Sequence, residues 1–233
     1  MSQQWYLGFG ASESLYQLNK DYRASLSSSS DKEQTEKLYG LLAQFADECL
    51  DQYFLSPIES VQLNGVGKKV VLGGVSAIKK TIHLTLRQVT KKLSAQDRAQ
   101  LADYINDMMM QLRQSRRFPT FIAVPVSDAL RLRLGNAVQQ GKAQSPASVR
   151  DDYAEALCEL IDVAVEAYMH QPIRMLKMGM VMNKIATVAA DTIQAAAHTV
   201  VRKVMHSMND KEMMAMFEFS ESILYQPAQQ KAA

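Results

Sequence analysis

Apolar residues recur at intervals of three and four positions over several long segments of this chain of 233 residues. Between Asp31 and Leu55, for example, Leu38, Leu41 and Phe45 fall on one face of a helix with 3.6 residues per turn. The chain also has 14 Met against 10 Gly and 6 Pro, and Met favours helix whereas Gly and Pro interrupt it. The sequence therefore predicts an all-α protein, a bundle of about six or seven helices.

Capping residues and glycines set the expected helix boundaries. Ser94, with Asp97 three residues later, is typical of a capping box and predicts a helix over residues 95–114. A longer helix is predicted over residues 68–93, and its opening turns should be weakened by Gly73-Gly74, because glycine costs about 1 kcal/mol in a helix interior.

One segment departs from the helical pattern. Phe121 to Val126 is apolar, rich in β-branched residues and bounded by prolines. Proline cannot donate a hydrogen bond to a neighbouring strand, so it is largely confined to sheet edges and strand ends. We expect a short extended crossing or an edge strand here.

Changes in composition suggest three parts of the chain. Residues 1–30 are predicted to form an N-terminal arm with aromatic side chains that ends in a serine-rich linker at Ser25–Ser30. Residues 31–225 are predicted to form a single helical domain, since a chain of this length fits one core. Residues 226–233 are polar and are predicted to be a disordered C-terminal tail.

The distribution of apolar and charged residues also bears on the compartment. Met1–Gly10 has no Lys or Arg before its apolar residues, which argues against a secretory signal. The longest apolar stretch, Ile185–Val201, contains Asp191, so we expect a buried helix there and no transmembrane span. Cys49 and Cys158 lie on or beside apolar helix stripes and are expected to be reduced thiols. The sequence thus predicts a soluble, cytoplasmic protein.

Charge is unevenly distributed, although the formal net charge is only +2. Residues 61–150 carry fifteen Lys and Arg against four Asp and Glu, and both flanking segments are acidic. At 100° per residue, several cations of the 68–93 helix fall on the side opposite its apolar stripe. A basic amphipathic helix is typical of binding to an anionic partner. The predicted anionic-partner residues are Lys69, Lys80, Arg87, Lys91, Arg113, Arg116 and Arg117.

Two interpretations of this basic region remain open at the level of sequence. It can bind an acidic protein or the surface of an anionic membrane, with nucleic acid disfavoured because Tyr104 is the only aromatic residue between positions 61 and 117. Alternatively, it is a solvated face that the acidic helix Asp151–Glu166 neutralises within the bundle.

Methionine and alanine are concentrated in the region after Tyr168. Thioether side chains suit adaptable apolar surfaces, and small residues allow close helix approach, although filling of the core is the simpler explanation of the methionines. The residues predicted for self-association or for an apolar partner are Met175, Met178, Met182, Ala189 and Ala196.

The common catalytic patterns are missing. Ser76 and Lys79 match S-x-x-K, but the other elements of that hydrolase signature are absent. Gly65-x-Gly67-Lys68 lacks the first Gly and the final Ser or Thr of a phosphate-binding loop. None of the four histidines has a Glu three residues before it, which excludes the usual helical di-iron motif. We therefore predict no catalytic residues, no metal site and no cofactor.

These observations lead to one function hypothesis and one alternative. The first is a non-enzymatic binding or scaffold protein that uses the basic helix for an anionic partner and the Met/Ala-rich helices for self-association or an apolar partner. The alternative is a helical enzyme or ligand-binding protein with an apolar pocket between the Met-rich helices. A small molecule that co-purifies with the protein would favour the alternative.

Overall fold

A computed structural model describes residues 4–111 and 120–226 and confirms the all-α class. The described residues contain eight long helices, two short helices and a small sheet. The helices are α1 (Glu13–Ser25), α2 (Asp31–Leu50), α3 (Ser56–Ser60), α4 (Gly65–Thr90), α5 (Ala95–Met108), α6 (Asp128–Ala143), α7 (Arg150–Val165), α8 (Gln171–Met175), α9 (Met180–Ser207) and α10 (Asp210–Ile223). The strands are β1 (Trp5–Gly10), β2 (Met109–Gln111), β3 (Thr120–Val126) and β4 (Leu224–Tyr225). The predicted C-terminal tail lies outside the described residues, apart from its first position.

Helix starts follow local sequence closely. The capping box predicted for α5 is present: the Ser94 hydroxyl accepts a hydrogen bond from the Asp97 backbone N–H at 3.1 Å, and the Asp97 carboxylate accepts one from the Ser94 backbone N–H at 3.2 Å. Each such contact satisfies an amide that the first helical turn leaves without a partner. The other side chains that cap long helices in this way are Ser12, Ser30, Asn64, Ser127 and Asn209.

The extended segment expected at Phe121–Val126 is confirmed as part of β3, and it has more partners than the sequence indicated. The strand order is β2-β3-β1-β4, and every pairing is antiparallel. Because β2 follows α5 directly, α5 ends at Met108 and not near Gln114. Gly8 of β1 allows the close approach of β3, since a Cβ there would lie 2.5 Å from the carbonyl oxygen of Ile122.

The segment predicted as an N-terminal arm contains two elements of the fold. Strand β1 pairs with β3, and α1 packs in the core through Leu15 and Tyr22, whose side chains are fully buried. The serines that suggested a linker are also structured. Ser25 is buried and its hydroxyl donates to the Tyr22 carbonyl at 2.6 Å, while Ser30 caps α2. Serine is favoured in turns and caps because its hydroxyl hydrogen-bonds nearby backbone groups, so a serine-rich segment need not be a flexible linker.

Helices α4 and α9 form an antiparallel pair. A Cβ added at Gly67 would lie 3.2 Å from Ser207 Oγ, and one added at Gly74 would overlap Val200 Cγ2. Helix α4 continues through Gly73-Gly74, where the sequence predicted weakness, because the missing side chain of Gly74 allows α9 to pack closely. None of the helices in the described ranges combines the length and hydrophobicity that a bilayer-spanning segment needs.

Candidate functional site

An apolar cavity of about 250 Å³, partly open to solvent, lies among the helices of the described part of the chain. Its lining comes from seven helices, α2, α4, α5, α7, α8, α9 and α10, from two π-helical segments, from β1 and from the segment between α8 and α9. Protein interiors usually contain few voids larger than a water molecule. A dry apolar cavity of about 150 Å³ in another protein holds benzene, so by proportion this one has space for about ten carbon atoms.

Both π-helical segments contribute to the cavity wall. Asp51–Leu55 extends α2, and Glu166–His170 extends α7. The first segment supplies Tyr53 and the second supplies Tyr168, together with their neighbours Phe54 and Met169. A π turn holds more residues than an α turn, so it changes the direction of the side chains that follow. Such turns are rare and occur frequently at functional sites.

The polar groups of the cavity include two tyrosine hydroxyls and a thiol. The Oη atoms of Tyr53 and Tyr168 lie 3.5 Å apart, and Cys49 lies one turn before Tyr53. Burial raises the pKa of both tyrosines far above the usual range. Burial, with the nearby charge of Glu48, also raises the pKa of the Cys49 thiol well above normal. All three groups are therefore neutral near pH 7, and Cys49 lacks the thiolate that nucleophilic chemistry requires.

Aromatic contacts fix the two tyrosine rings. Phe45 packs edge-on against Tyr168 with ring centroids 5.1 Å apart, and Phe9 packs edge-on against Tyr53 at 5.6 Å. Both tyrosines are nevertheless only partly buried by accessible surface, because each faces the cavity. When one hydroxyl donates to the other, the second keeps a free O–H that can donate to a ligand.

The Met and Ala residues singled out in the sequence lie mainly inside the protein. Met178 lines the cavity, and Met182 packs beside it against the same hydrophobic cluster. Ala189 is buried, Ala196 is half-buried, and Met175 is half-buried at the end of α8. Met178 and Tyr168 therefore belong to the same cavity wall. Self-association through these Met and Ala residues stays a prediction.

The basic ridge, which comprises Lys69, Lys80, Arg87 and Lys91, lies on the exposed side of α4 and its C-terminal end. Arg87 Nε donates to the Tyr39 hydroxyl at 3.0 Å, and its guanidinium lies 5.3 Å from the Tyr39 ring centre. Among the described residues, the three lysines of the ridge form no ion pair. The remaining predicted cations, Arg113, Arg116 and Arg117, lie outside the described residues.

The acidic helix Asp151–Glu166 is paired with other elements. Its ion-pair partners lie on α6, α8 and α9, and α9 packs against both α7 and α4. The sequence left open whether this helix neutralises the basic ridge. Among the described residues, none of its ion pairs involves a cation of the ridge. The pairs that the helix forms include Glu155–Arg202, Glu159–Arg133, Asp162–His198 and Glu166–Arg174.

The histidines and Lys79 are engaged in pairwise contacts with aspartates. Within residues 4–111 and 120–226, no three His, Cys, Asp or Glu side chains come together as metal ligands would. Each histidine instead pairs with a single aspartate. Lys79, the lysine of the S-x-x-K pattern, pairs with Asp47 at 2.9 Å.

The sequence raised an apolar pocket between the Met-rich helices as an alternative, but it gave no sign that tyrosines line the cavity or that apolar residues on α4 and α9 are exposed. The 3.6-residue period indicates that Tyr53 and Tyr168 lie on the inward faces of their helices. The same period gives no indication of the π turns. Comparisons with protein-family models, curated proteins and solved structures gave no match to this chain. The cavity and the surface are therefore the features that bear on its function.

Proposed function

We propose that this protein binds a small, mostly apolar ligand in the central cavity. The observation that carries the proposal is the cavity itself: about 250 Å³, lined mostly by apolar side chains from seven helices and two π-helical segments. Side chains around an unfilled space forgo the contacts that close packing would supply. A function in ligand binding explains why such a space is kept.

The chemistry of the wall restricts the ligand. The tyrosine hydroxyls and the thiol are neutral near pH 7, and an unpaired charge in an apolar site carries a large desolvation penalty. The ligand is therefore a neutral molecule of about ten carbons, judged by cavity size, with one hydrogen-bond acceptor. That acceptor would receive the O–H of Tyr53 or Tyr168.

Isothermal titration calorimetry with 1-decanol and with decanoate tests this proposal. We expect 1-decanol to bind, and ionised decanoate to bind at least about tenfold more weakly because its charge must be desolvated. Tyr168→Phe should weaken decanol binding about fivefold, the equivalent of one hydrogen bond of about 1 kcal/mol. Tyr16→Phe, which removes a hydroxyl on α1 outside the cavity, is the matched control. Equal binding of decanol and decanoate, or no binding of either, would contradict the proposal.

A separate observation favours a second function, in which the basic ridge binds an anionic partner. Its three lysines are exposed and have no ion-pair partner in the described part of the chain, and no carboxylate occurs between Glu59 and Asp97. Unpaired cations gathered on one helix face attract anions more strongly than cations scattered over the surface.

Retention on a heparin column tests the ridge with a simple polyanion. The triple variant Lys80→Glu, Arg87→Glu, Lys91→Glu should elute at much lower salt than the wild type while its circular dichroism spectrum is unchanged. The control replaces three exposed lysines on other helices with the same change in net charge. If both variants elute together, net charge alone determines retention and the ridge is not a site. The control positions are Lys20, Lys32 and Lys211.

A further inference from the structure

Exposed apolar side chains gather on one part of the surface. In the described ranges, eight large apolar side chains are exposed, and five of these belong to the C-terminal half of α4 or the N-terminal half of α9, two helices that pack against each other. Leu84 of α4 is 53% exposed, and Val188 of α9 is 55% exposed. Met180, Val181 and Ile185 continue the group toward the start of α9. Scattered exposed apolar residues are ordinary, but a contiguous group marks a contact surface.

The pairing of the two helices brings these residues together. Gly67 lies opposite Ser207, and Gly74 lies opposite Val200. Because both helices rise by the same distance per residue, the same antiparallel spacing places residue 84 level with residue 190. Leu84 and Val188 therefore lie within about two residues of the same level along the pair, and both are exposed. We name Leu84, Val181, Ile185 and Val188 the apolar strip.

Cations border the apolar strip. Lys80 and Lys91 of the basic ridge lie one turn before and two turns after Leu84, and Lys184 lies one turn before Val188. All three lysines are exposed. Helix α4 carries no carboxylate, and the single carboxylate of α9, Asp191, pairs with His170 in the π-helical segment after α7.

This combination is complementary to an anionic lipid bilayer. Apolar side chains of a surface helix enter the boundary between headgroups and acyl chains, while flanking lysines reach the anionic headgroups with their long stems. Each Lys or Arg near such a surface contributes about 1 kcal/mol of attraction. An acidic protein would meet the same cations, and its binding in place of lipid is the alternative outcome of the vesicle experiment below.

We propose that the α4–α9 face docks on anionic membranes, with the apolar strip inserted at headgroup depth and the basic ridge on the headgroups. The inference rests on the proposed binding of an anionic partner by the ridge, and it assigns that partner as lipid. It is independent of whether the cavity holds a ligand. The two helices lie flat on the bilayer and do not cross it.

Co-sedimentation with vesicles tests the docking. The intact chain should sediment with vesicles of phosphatidylcholine and phosphatidylserine and stay in solution with phosphatidylcholine alone. The double variant Leu84→Ser, Val188→Ser keeps every cation but loses apolar contact, so vesicle affinity should fall about tenfold. Its control is Leu72→Ser, Leu132→Ser, which removes two similarly exposed apolar side chains outside the strip and should bind as the wild type does.

Heparin retention distinguishes membrane docking from the broader proposal that the basic ridge binds an anionic partner. If the strip variant loses vesicle binding but elutes from heparin with the wild type, membrane docking is supported. If the strip variant binds vesicles as its control does while the ridge variant loses heparin retention, the anionic-partner proposal stands and membrane docking is overturned. If the ridge variant retains both activities, both proposals fail. Should the serine variant lose helicity, Leu84→Gln, Val188→Gln replaces it with the same expected results.

Discussion

Replacing Ala164 with leucine is expected to stabilise the protein, because the larger side chain would enter the central cavity. Ala164 lies on α7 and lines the cavity wall. Leucine adds three carbons, and each buried methylene contributes about 0.8 kcal/mol. The upper limit is thus about 2.4 kcal/mol for three such groups, and the small loss of helix propensity relative to alanine leaves a gain of about 2 kcal/mol.

Ala156 provides a matched control on the same helix. It is also an alanine, but it is 0% exposed and lies in the packed core away from the cavity. Leucine at this position has no space to enter, so overpacking should lower the free energy of unfolding by about 1–3 kcal/mol. The two substitutions are chemically identical and are expected to have opposite signs.

Equilibrium unfolding in urea, followed by circular dichroism, measures both changes. Ala164→Leu should also bind 1-decanol more weakly than the wild type, because the added carbons occupy the space of the ligand. The reasoning is refuted if Ala164→Leu destabilises the protein as much as Ala156→Leu does. In that case the side chains around the cavity already fill it in solution.

Two further predictions concern α4 and α5. Gly73→Ala should raise the free energy of unfolding by about 1 kcal/mol through helix propensity, since its added Cβ would have no neighbour within 4 Å beyond the backbone of its own helix. Gly74→Ala should lower the free energy of unfolding by about 1–2 kcal/mol, because the overlap with Val200 costs more than the gain in helix propensity. Equal effects of the two substitutions in urea unfolding would contradict this contrast. A hydrogen bond from the Ser94 hydroxyl holds the pKa of Asp97 below its usual value of about 3.9. The charged carboxylate therefore stabilises the fold above that pH, and the stability lost in Asp97→Asn at neutral pH should vanish as the pH falls through the lowered pKa in acid titrations of unfolding.

Local sequence determined the helices and their starts. The 3.6-residue period selects which face of a helix is buried, and a cap such as Ser94 with Asp97 acts within one turn. The outward position of the basic ridge follows from the same period, because Lys80, Arg87 and Lys91 oppose the apolar stripe of their own helix. Each of these features depends on residues close together in the chain, so a pattern in the sequence could reveal it.

The sheet required information from distant parts of the chain. β1 pairs with β3 across more than a hundred positions, for example Leu7 with Val124, and no local pattern encodes such a pairing. The sequence identified the extended character of β3 but showed no sign of its neighbours. For the same reason, the segment before α2 resembled an arm, although Tyr22 is fully buried in the fold.

The two functional features depended most on the tertiary structure. The cavity exists because several helices and two π turns leave space around Tyr53 and Tyr168, and volume left unfilled is a property of the whole packing arrangement. The apolar strip exists because α4 and α9 pack as an antiparallel pair, which places Leu84 and Val188 near the same level along it. Local periodicity sets which residues face inward or outward on each helix, whereas packing between distant segments sets which of those faces meet.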